Sequence, residues 1–278
     1  LEVGYKLSVD KVNLSFLANA SYVKNEIKNL GNQTGYIDKE SLPTLGTVSR
    51  NQNGYPIGYF FGYKAIGVFQ TQEEIDNYIS PATGKPIQPN AVPGDTKFED
   101  LNGDGVISDD NEDRTMIGKP NPDWMVGLTV AADWNGFDLS AFFQGSFGAD
   151  VFDALRRYEL AAVNYTSDAL ERWTGPGTSN SMPRIVLGDT PKNFRPSTLL
   201  VHDASFLRLR NLQVGYTLPA QLTRKAYIQR LRFYASFDNL LTITGYKGMD
   251  PEIGSTMGID KGVYPQARVY TFGLNLTF

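Results

Sequence analysis

The final stretch of the chain, Val269 to Phe278, constrains the fold most; it reads Val-Tyr-Thr-Phe-Gly-Leu-Asn-Leu-Thr-Phe. Side chains of a strand alternate between faces. Tyr270, Phe272, Leu274, Leu276 and Phe278 therefore share one side, and Thr271, Gly273, Asn275 and Thr277 the other. A soluble sandwich strand shows the same alternation but rarely closes a polypeptide on an aromatic with no polar tail. A strand in an outer-membrane barrel needs this arrangement: apolar towards lipid, small and polar towards the lumen, aromatic at the interface.

The pattern recurs upstream. Leu1, Val3, Tyr5 and Leu7 alternate with Glu2, Gly4 and Lys6, and a turn at Ser8 to Lys11 leads to Val12, Leu14, Phe16, Ala18, Ala20 and Tyr22. After a long irregular region come Trp124, Val126, Leu128, Val130, Ala132 and Trp134, with a Trp at each end as expected where a strand meets two interfaces. Asn135-Gly136 is a tight-hairpin dipeptide, and its partner strand carries Phe137, Leu139, Ala141, Phe143, Gly145 and Phe147. Further on, Leu212, Val214, Tyr216 and Leu218 share a face until Pro219, which cannot donate to a ladder. Leu231, Phe233, Ala235, Phe237 and Asn239 form the next set.

About seven strands result, joined alternately by short turns and long loops. The short links lie at Ser8 to Lys11, Trp134 to Gly136 and Pro219 to Arg230; the long ones span about 25–121, 148–203 and 241–264. Short turns on one side and long loops on the other describe an outer-membrane barrel, whereas Greek-key sandwiches have no reason to keep that alternation. The expected fold is all-β, a membrane β-barrel embedded in outer-membrane lipid with long extracellular loops. Seven strands do not make a whole bacterial barrel of the usual even-numbered kind, and the chain opens inside a strand-like pattern, so it reads as a fragment or processed piece.

Composition narrows the alternatives. With 41% hydrophobic and 20% charged residues the chain is not disordered. A formal net charge of −4, with no long run of Lys or Arg, gives no footprint for nucleic acid. Cysteine is absent, which removes disulfides, thiolate metal sites and thiol nucleophiles. The longest apolar runs fall short of the roughly 20 residues a membrane helix requires, so any crossing is made by strands.

Several segments carry a family resemblance: Gly54-Tyr-Pro-Ile-Gly-Tyr-Phe-Phe-Gly-Tyr63, Gly67-Val-Phe-Gln-Thr71, Asp100-Leu-Asn-Gly-Asp-Gly105, Ile117-Gly-Lys-Pro-Asn-Pro122, Phe206-Leu-Arg-Leu-Arg-Asn-Leu212, Gly215-Tyr-Thr-Leu-Pro219, Asp238-Asn-Leu240 and Asp250-Pro-Glu252. In this order they resemble the C-terminal part of the SusC/RagA family of TonB-dependent outer-membrane transporters. The resemblance implies a barrel of about 22 strands with a plugged lumen, of which these would be the last seven. It also implies energy coupling to TonB through a plug-bearing region absent from this chain, a SusD-like surface lipoprotein as lid, and an oligosaccharide or peptide as cargo.

The sharpest chemical motif is Asp100-Leu-Asn-Gly-Asp-Gly-Val-Ile-Ser-Asp-Asp-Asn-Glu-Asp113. Oxygen ligands at positions one, three and five, a Gly at six and a backbone carbonyl at seven follow the calcium-loop pattern. The candidate ligands of a structural Ca2+ are Asp100, Asn102, Asp104 and the Val106 carbonyl, with Ser108 at the position often bridged by water. Position twelve is Asn111 rather than a bidentate Glu, so closure falls to Asp109, Asn111, Glu112 or Asp113, of which Glu112 and Asp113 complete the expected set.

Other candidates carry less chemistry. Phe152, Leu155, Leu160, Val163 and Leu170 recur at near-helical spacing within Val151 to Trp173, which predicts a helix packed in an extracellular loop. His202, the only histidine, has no nucleophile motif beside it. Asp250 and Glu252, fixed by Pro251, read as loop architecture rather than a glycosidase pair. Tyr55, Tyr59, Phe60, Phe61 and Tyr63 suit either stacking on sugar rings or filling a loop core. No enzymatic constellation emerges. Two functions remain: part of an active importer, or a calcium-stabilised β-rich surface module for binding or adhesion.

Overall fold

The structure is a computed structural model that describes residues 1–253 and 257–278. Seven long strands dominate: β1 (Glu2–Val9), β2 (Val12–Tyr22), β3 (Trp124–Trp134), β4 (Phe137–Phe147), β5 (Phe206–Thr217), β6 (Arg230–Thr244) and β7 (Val269–Thr277). They form one antiparallel sheet in chain order.

The register explains why alternation along each strand becomes a continuous surface. Tyr5, Phe16, Val130, Ala141, Leu212, Phe237 and Tyr270 are successive cross-strand partners, an unbroken apolar row over the whole sheet. One residue further along, Lys6, Ser15, Ala131, Ser140, Gln213, Ser236 and Thr271 form a mostly polar row on the opposite face. A slip by one residue in any strand would exchange the faces. The apolar face is bare: Phe272 is 76% and Leu274 58% exposed. A patch of that extent is a lipid-facing wall. Its ends carry aromatic clusters, with Tyr22 against Trp124 at 5.0 Å on one side and Phe137 against Tyr216 at 4.4 Å on the other.

The short turns lie on one side. β1 runs through Val9, paired to Val12, so the first turn is Asp10-Lys11 rather than the wider link from Ser8 to Lys11. Asn135 (φ 47°) and Gly136 (φ 85°) both take the left-handed conformation that a two-residue hairpin demands. A Cβ on Gly136 would also lie 2.7 Å from the Thr217 carbonyl oxygen, so two constraints act at once.

One strand breaks the alternation, and the structure shows how. Leu207 and Leu209 face the same side as Leu212 and Val214, although the spacing across Arg210-Asn211 is wrong by one residue. Arg210 is bulged out of the ladder: Phe142 pairs with Asn211 and Phe143 with Leu209. The bulge turns both Arg208 and Arg210 to the polar side. Asn239 on β6, expected on the apolar face, sits instead in this irregularity with φ 53°. Its side chain donates to the Ala267 carbonyl (2.9 Å) and accepts from Arg210 (3.2 Å).

The three long connections are not structureless. Strands at Tyr36–Asp38, Ser49–Gln52, Tyr59–Tyr63 and Arg114–Gly118 make a second sheet, and Asp150–Asp153 lies between Val201–Asp203 and Ile259–Asp260. The connections share one apolar cluster, in which Val48 and Phe60 of the first meet Phe152 and Leu200 of the second and Ile259 of the third. Together they form a cap on the side of the sheet away from the short turns. The helix expected over Val151 to Trp173 is absent. Its start is spent in a strand held on both sides by pairing, Phe152 is buried in the shared cluster, and only a 3-10 turn at Ser167–Glu171 follows. Leu170 of the expected apolar stripe is 80% exposed.

An Arg at Leu128 or Leu274, near the middle of the apolar face, is expected to cost about 2 to 4 kcal/mol, and far less at Thr129 or Asn275 on the polar face. Equal tolerance at both faces, measured by folding of the full-length protein into lipid vesicles, would contradict a lipid-facing wall.

Candidate functional site

The acidic loop is wound by its own side chains. Asp100 accepts from the backbone N–H groups of Gly103 (2.8 Å) and Gly105 (2.9 Å), Asn102 from Asp104 (3.0 Å), and Asp104 from Val106 (2.8 Å). The last two are successive Asx turns, and with the Asp100 bonds they wind the segment from position one to position seven on its own side chains. Gly105, at position six, has φ 89°, and a Cβ there would lie 2.8 Å from Ser80, so glycine is required for both conformation and space.

Of the four candidates for closure, Asp109, Asn111 and Glu112 are exposed and Asp113 is buried. Asp113 is fully buried and accepts from Leu101 N–H (3.1 Å) and Ser108 N–H (3.0 Å), tying the two ends of the loop together. Glu112 takes a hydrogen bond from the Asn102 amide at 2.9 Å. Asp109 is drawn outward by Lys192 and Arg195, and Asn111 accepts from Arg114 at 2.7 Å. Val106 is exposed. Among the described residues, no Lys or Arg pairs with Asp100, Asp104, Asp110, Glu112 or Asp113. Nor do any three His, Cys, Asp or Glu side chains already converge as a metal cluster. The loop thus offers oxygen and uncompensated negative charge, the donor set of a hard cation.

Arg114, directly after the loop, locks it to the cap by donating to the carbonyl oxygens of Phe61 (2.7 Å) and Thr47. Burial pushes its pKa down to about 10, against a counteracting pull from Tyr63. It belongs to an alternating stack: Arg50 lies over Tyr36 (4.1 Å) and Phe61 (3.6 Å), Arg114 over Phe61 (4.4 Å), and Arg195 over Tyr63 (4.7 Å) and Phe98 (4.9 Å). Each such contact is worth about 0.5 to 2 kcal/mol according to its desolvation. Tyr59, Phe60, Phe61 and Tyr63 are all buried, so these aromatics fill the loop core.

On the polar face of the sheet, the bulge at Arg210 builds a clamp. Arg208, 1% exposed, donates to Asp250 (2.5 Å), Glu252 (3.0 Å) and Thr242 (2.9 Å). Arg210 donates to Glu252 (2.6 Å) and Gln144 (2.6 Å). The carboxylates either side of Pro251 therefore anchor the third connection to the wall, which is the architectural role expected of them. Neither arginine stands out in the sequence alone; the Arg-Leu-Arg spacing and the Asp-Pro-Glu turn gave the two halves without the pairing. His202 lies 3.4 Å from Arg156 and 3.8 Å from Asp153, and burial lowers its pKa against the pull of Asp153.

A wall with one face for lipid and one for a polar lumen, clamped at a rim of fused loops, defines the class of outer-membrane barrel transporters. No family model matches the chain. A TonB-dependent receptor of Formosa agariphila is 34% identical over 238 residues, 82% of this chain and 23% of that protein. The TonB-dependent receptor SusC of Bacteroides thetaiotaomicron is 30% identical over 263 residues, 94% of this chain and 24% of its own length. The RagAB peptide importer in its open-open state superposes with a TM-score of 0.73 at 26% identity, covering 100% of this chain and 28% of that one. The chain belongs to the SusC/RagA family of TonB-dependent outer-membrane transporters. It spans about a quarter of the length of the curated relatives it matches.

Asp250→Ala leaves the buried Arg208 guanidinium short of a partner, and breaking a buried pair typically costs about 3 to 5 kcal/mol. The expected outcome is faster amide exchange at the base of the third connection and a lower unfolding midpoint in the full-length protein. Unchanged exchange there would show that the clamp carries no stability.

Proposed function

We propose that the chain is the C-terminal wall and extracellular cap of an active importer, with the remaining strands and the plug supplied upstream. The observation that carries this reading is the fusion of three long connections into one cap at the mouth of a lipid-faced sheet. Such a cap forms one side of a large vestibule. Relatives named TonB-dependent receptors and the RagAB peptide importer support import of oligosaccharides or peptides, with TonB as energy source and a SusD-like lipoprotein as lid. Those names describe receptors and an importer, which favours transport over catalysis.

In this reading the loop Asp100 to Asp113 binds one calcium ion. Asp100, Asn102, Asp104 and the Val106 carbonyl would hold it, with Ser108 through water and closure by Asp113 and Glu112. When bound, the ion supplies the positive charge the loop lacks and holds its turns together. An extracellular position suits an affinity of roughly 10⁻⁴ to 10⁻³ M.

Deleting the full-length protein is expected to abolish uptake of an oligosaccharide or a peptide, and a detergent extract of the tagged protein should contain a surface lipoprotein. Unchanged uptake of both nutrient classes, with no lipoprotein partner, would overturn the importer. For the ion, anomalous scattering should place calcium about 2.3 to 2.6 Å from six or more oxygens. Asp104→Ala and chelation should each raise protease sensitivity within 100–113 while the strands stay intact. A loop equally ordered after chelation would remove the structural role.

A further inference from the structure

A cleft of about 710 Å³ opens in the cap beside the acidic loop. Its size falls in the range of small-ligand sites, about 300 to 1,000 Å³. Val106 of the acidic loop, Pro86, Pro89 and Pro191 are among the residues that line it. Two cationic side chains border it, Lys85 and Arg195. The carboxylate that also lines it, Asp95, is already engaged by Arg184 (2.6 Å), Asn193 (3.0 Å) and the Val92 N–H (2.9 Å).

Arg195 is prepared in an unusual way. Tyr63 and Phe98 fix its guanidinium plane, and Nε donates to the Lys192 carbonyl at 3.2 Å. Its Nη1 is buried without a hydrogen-bond partner, and the nearest carboxylate oxygen, on Asp109, is 3.7 Å away. A buried donor left unpaired costs about 1 to 3 kcal/mol, and the same guanidinium borders the cleft, where a carboxylate would meet it with a charge-assisted bond.

We infer that this cleft binds a short peptide through a carboxylate, with Arg195 and Lys85 taking the acid and the prolines and Val106 receiving the apolar residues beside it. This deepens the import reading, on which it rests, by naming a ligand class for one part of the cap. Peptide is favoured over an acidic sugar because no aromatic side chain lines the cleft among the described residues. A sugar ring would find no flat face to stack on, whereas proline and valine walls fit apolar side chains.

The test is calorimetric titration of the purified full-length transporter with three probes: the peptide Val-Pro-Glu, its doubly amidated analogue Val-Pro-Gln-amide, and a trimeric uronate. The acidic peptide is expected to bind, and the amide about tenfold or more weaker, the size of one charge-assisted hydrogen bond. Arg195→Gln and Lys85→Gln should each weaken the acidic peptide by about tenfold. Lys85 is exposed and outside the aromatic stack, so its variant keeps the test valid if Arg195→Gln disturbs the cap. Equal binding of acid and amide, indifference to Lys85→Gln, or tighter binding of the uronate would overturn the proposal. These measurements are made on purified protein, so their failure removes the cleft alone, whereas the uptake experiment in cells bears on import alone.

Discussion

Backbone N–H and C=O groups cannot be left unpaired in hydrocarbon, and every other feature of this chain is arranged around that demand. Seven strands pair in chain order, so the interior strands satisfy their groups on both sides. β1 and β7 each have a single neighbour in this sheet, which leaves two edges that a membrane does not tolerate. An incomplete wall of this kind is coherent only as part of a larger closed barrel, in keeping with relatives about four times its length.

Spending the apolar face of the sheet on lipid has a second consequence. The strands contribute almost nothing to a conventional core: among the described residues, Ala141 and Phe206 are the buried hydrophobics that lie on them. The water-exposed connections must bury apolar surface among themselves, and they do so in a cluster to which all three contribute. This is why the aromatic-rich segment around Tyr59 to Tyr63 is interior, with arginines stacked on its rings. Long charged side chains can lie flat on aromatic faces and still reach polar partners at their tips.

The legibility of the sequence follows the same division. Period-two alternation is a local signal imposed by a uniform environment, lipid on one side, so the strands and their faces could be read residue by residue. Where the environment changes, the signal fails. The stripe from Phe152 to Leu170 matches a helical period by coincidence, since Phe152 belongs to a strand and Leu170 to a surface turn. The parity break between Leu209 and Leu212 marks a bulge, but a bulge is defined by its partner strands, and no local pattern names Asp250 or Glu252 as the carboxylates that Arg208 and Arg210 hold. The acidic loop lies between these cases. Its turn-forming residues act within a few positions of one another and are legible locally, while the burial of Asp113, which ties the two ends of the loop by hydrogen bonds, depends on the rest of the cap.

Charge is distributed with a corresponding logic. On the polar face of the wall three arginines are matched: Arg232 to Asp138 at 2.5 Å, and Arg208 and Arg210 to the two acids of the third connection. In the acidic loop Asp109 is paired to Lys192, while Asp100, Asp104, Asp110, Glu112 and Asp113 have no cationic partner among the described residues, and beside the loop a guanidinium nitrogen has no hydrogen-bond acceptor. Unmatched charge is expensive in a folded chain unless something outside the chain completes it. The matched pairs therefore belong to architecture, and the groups left over, Asp100, Asp104, Asp110, Glu112 and Asp113 in the acidic loop and Nη1 of Arg195, are those to which the proposed ion and ligand are assigned.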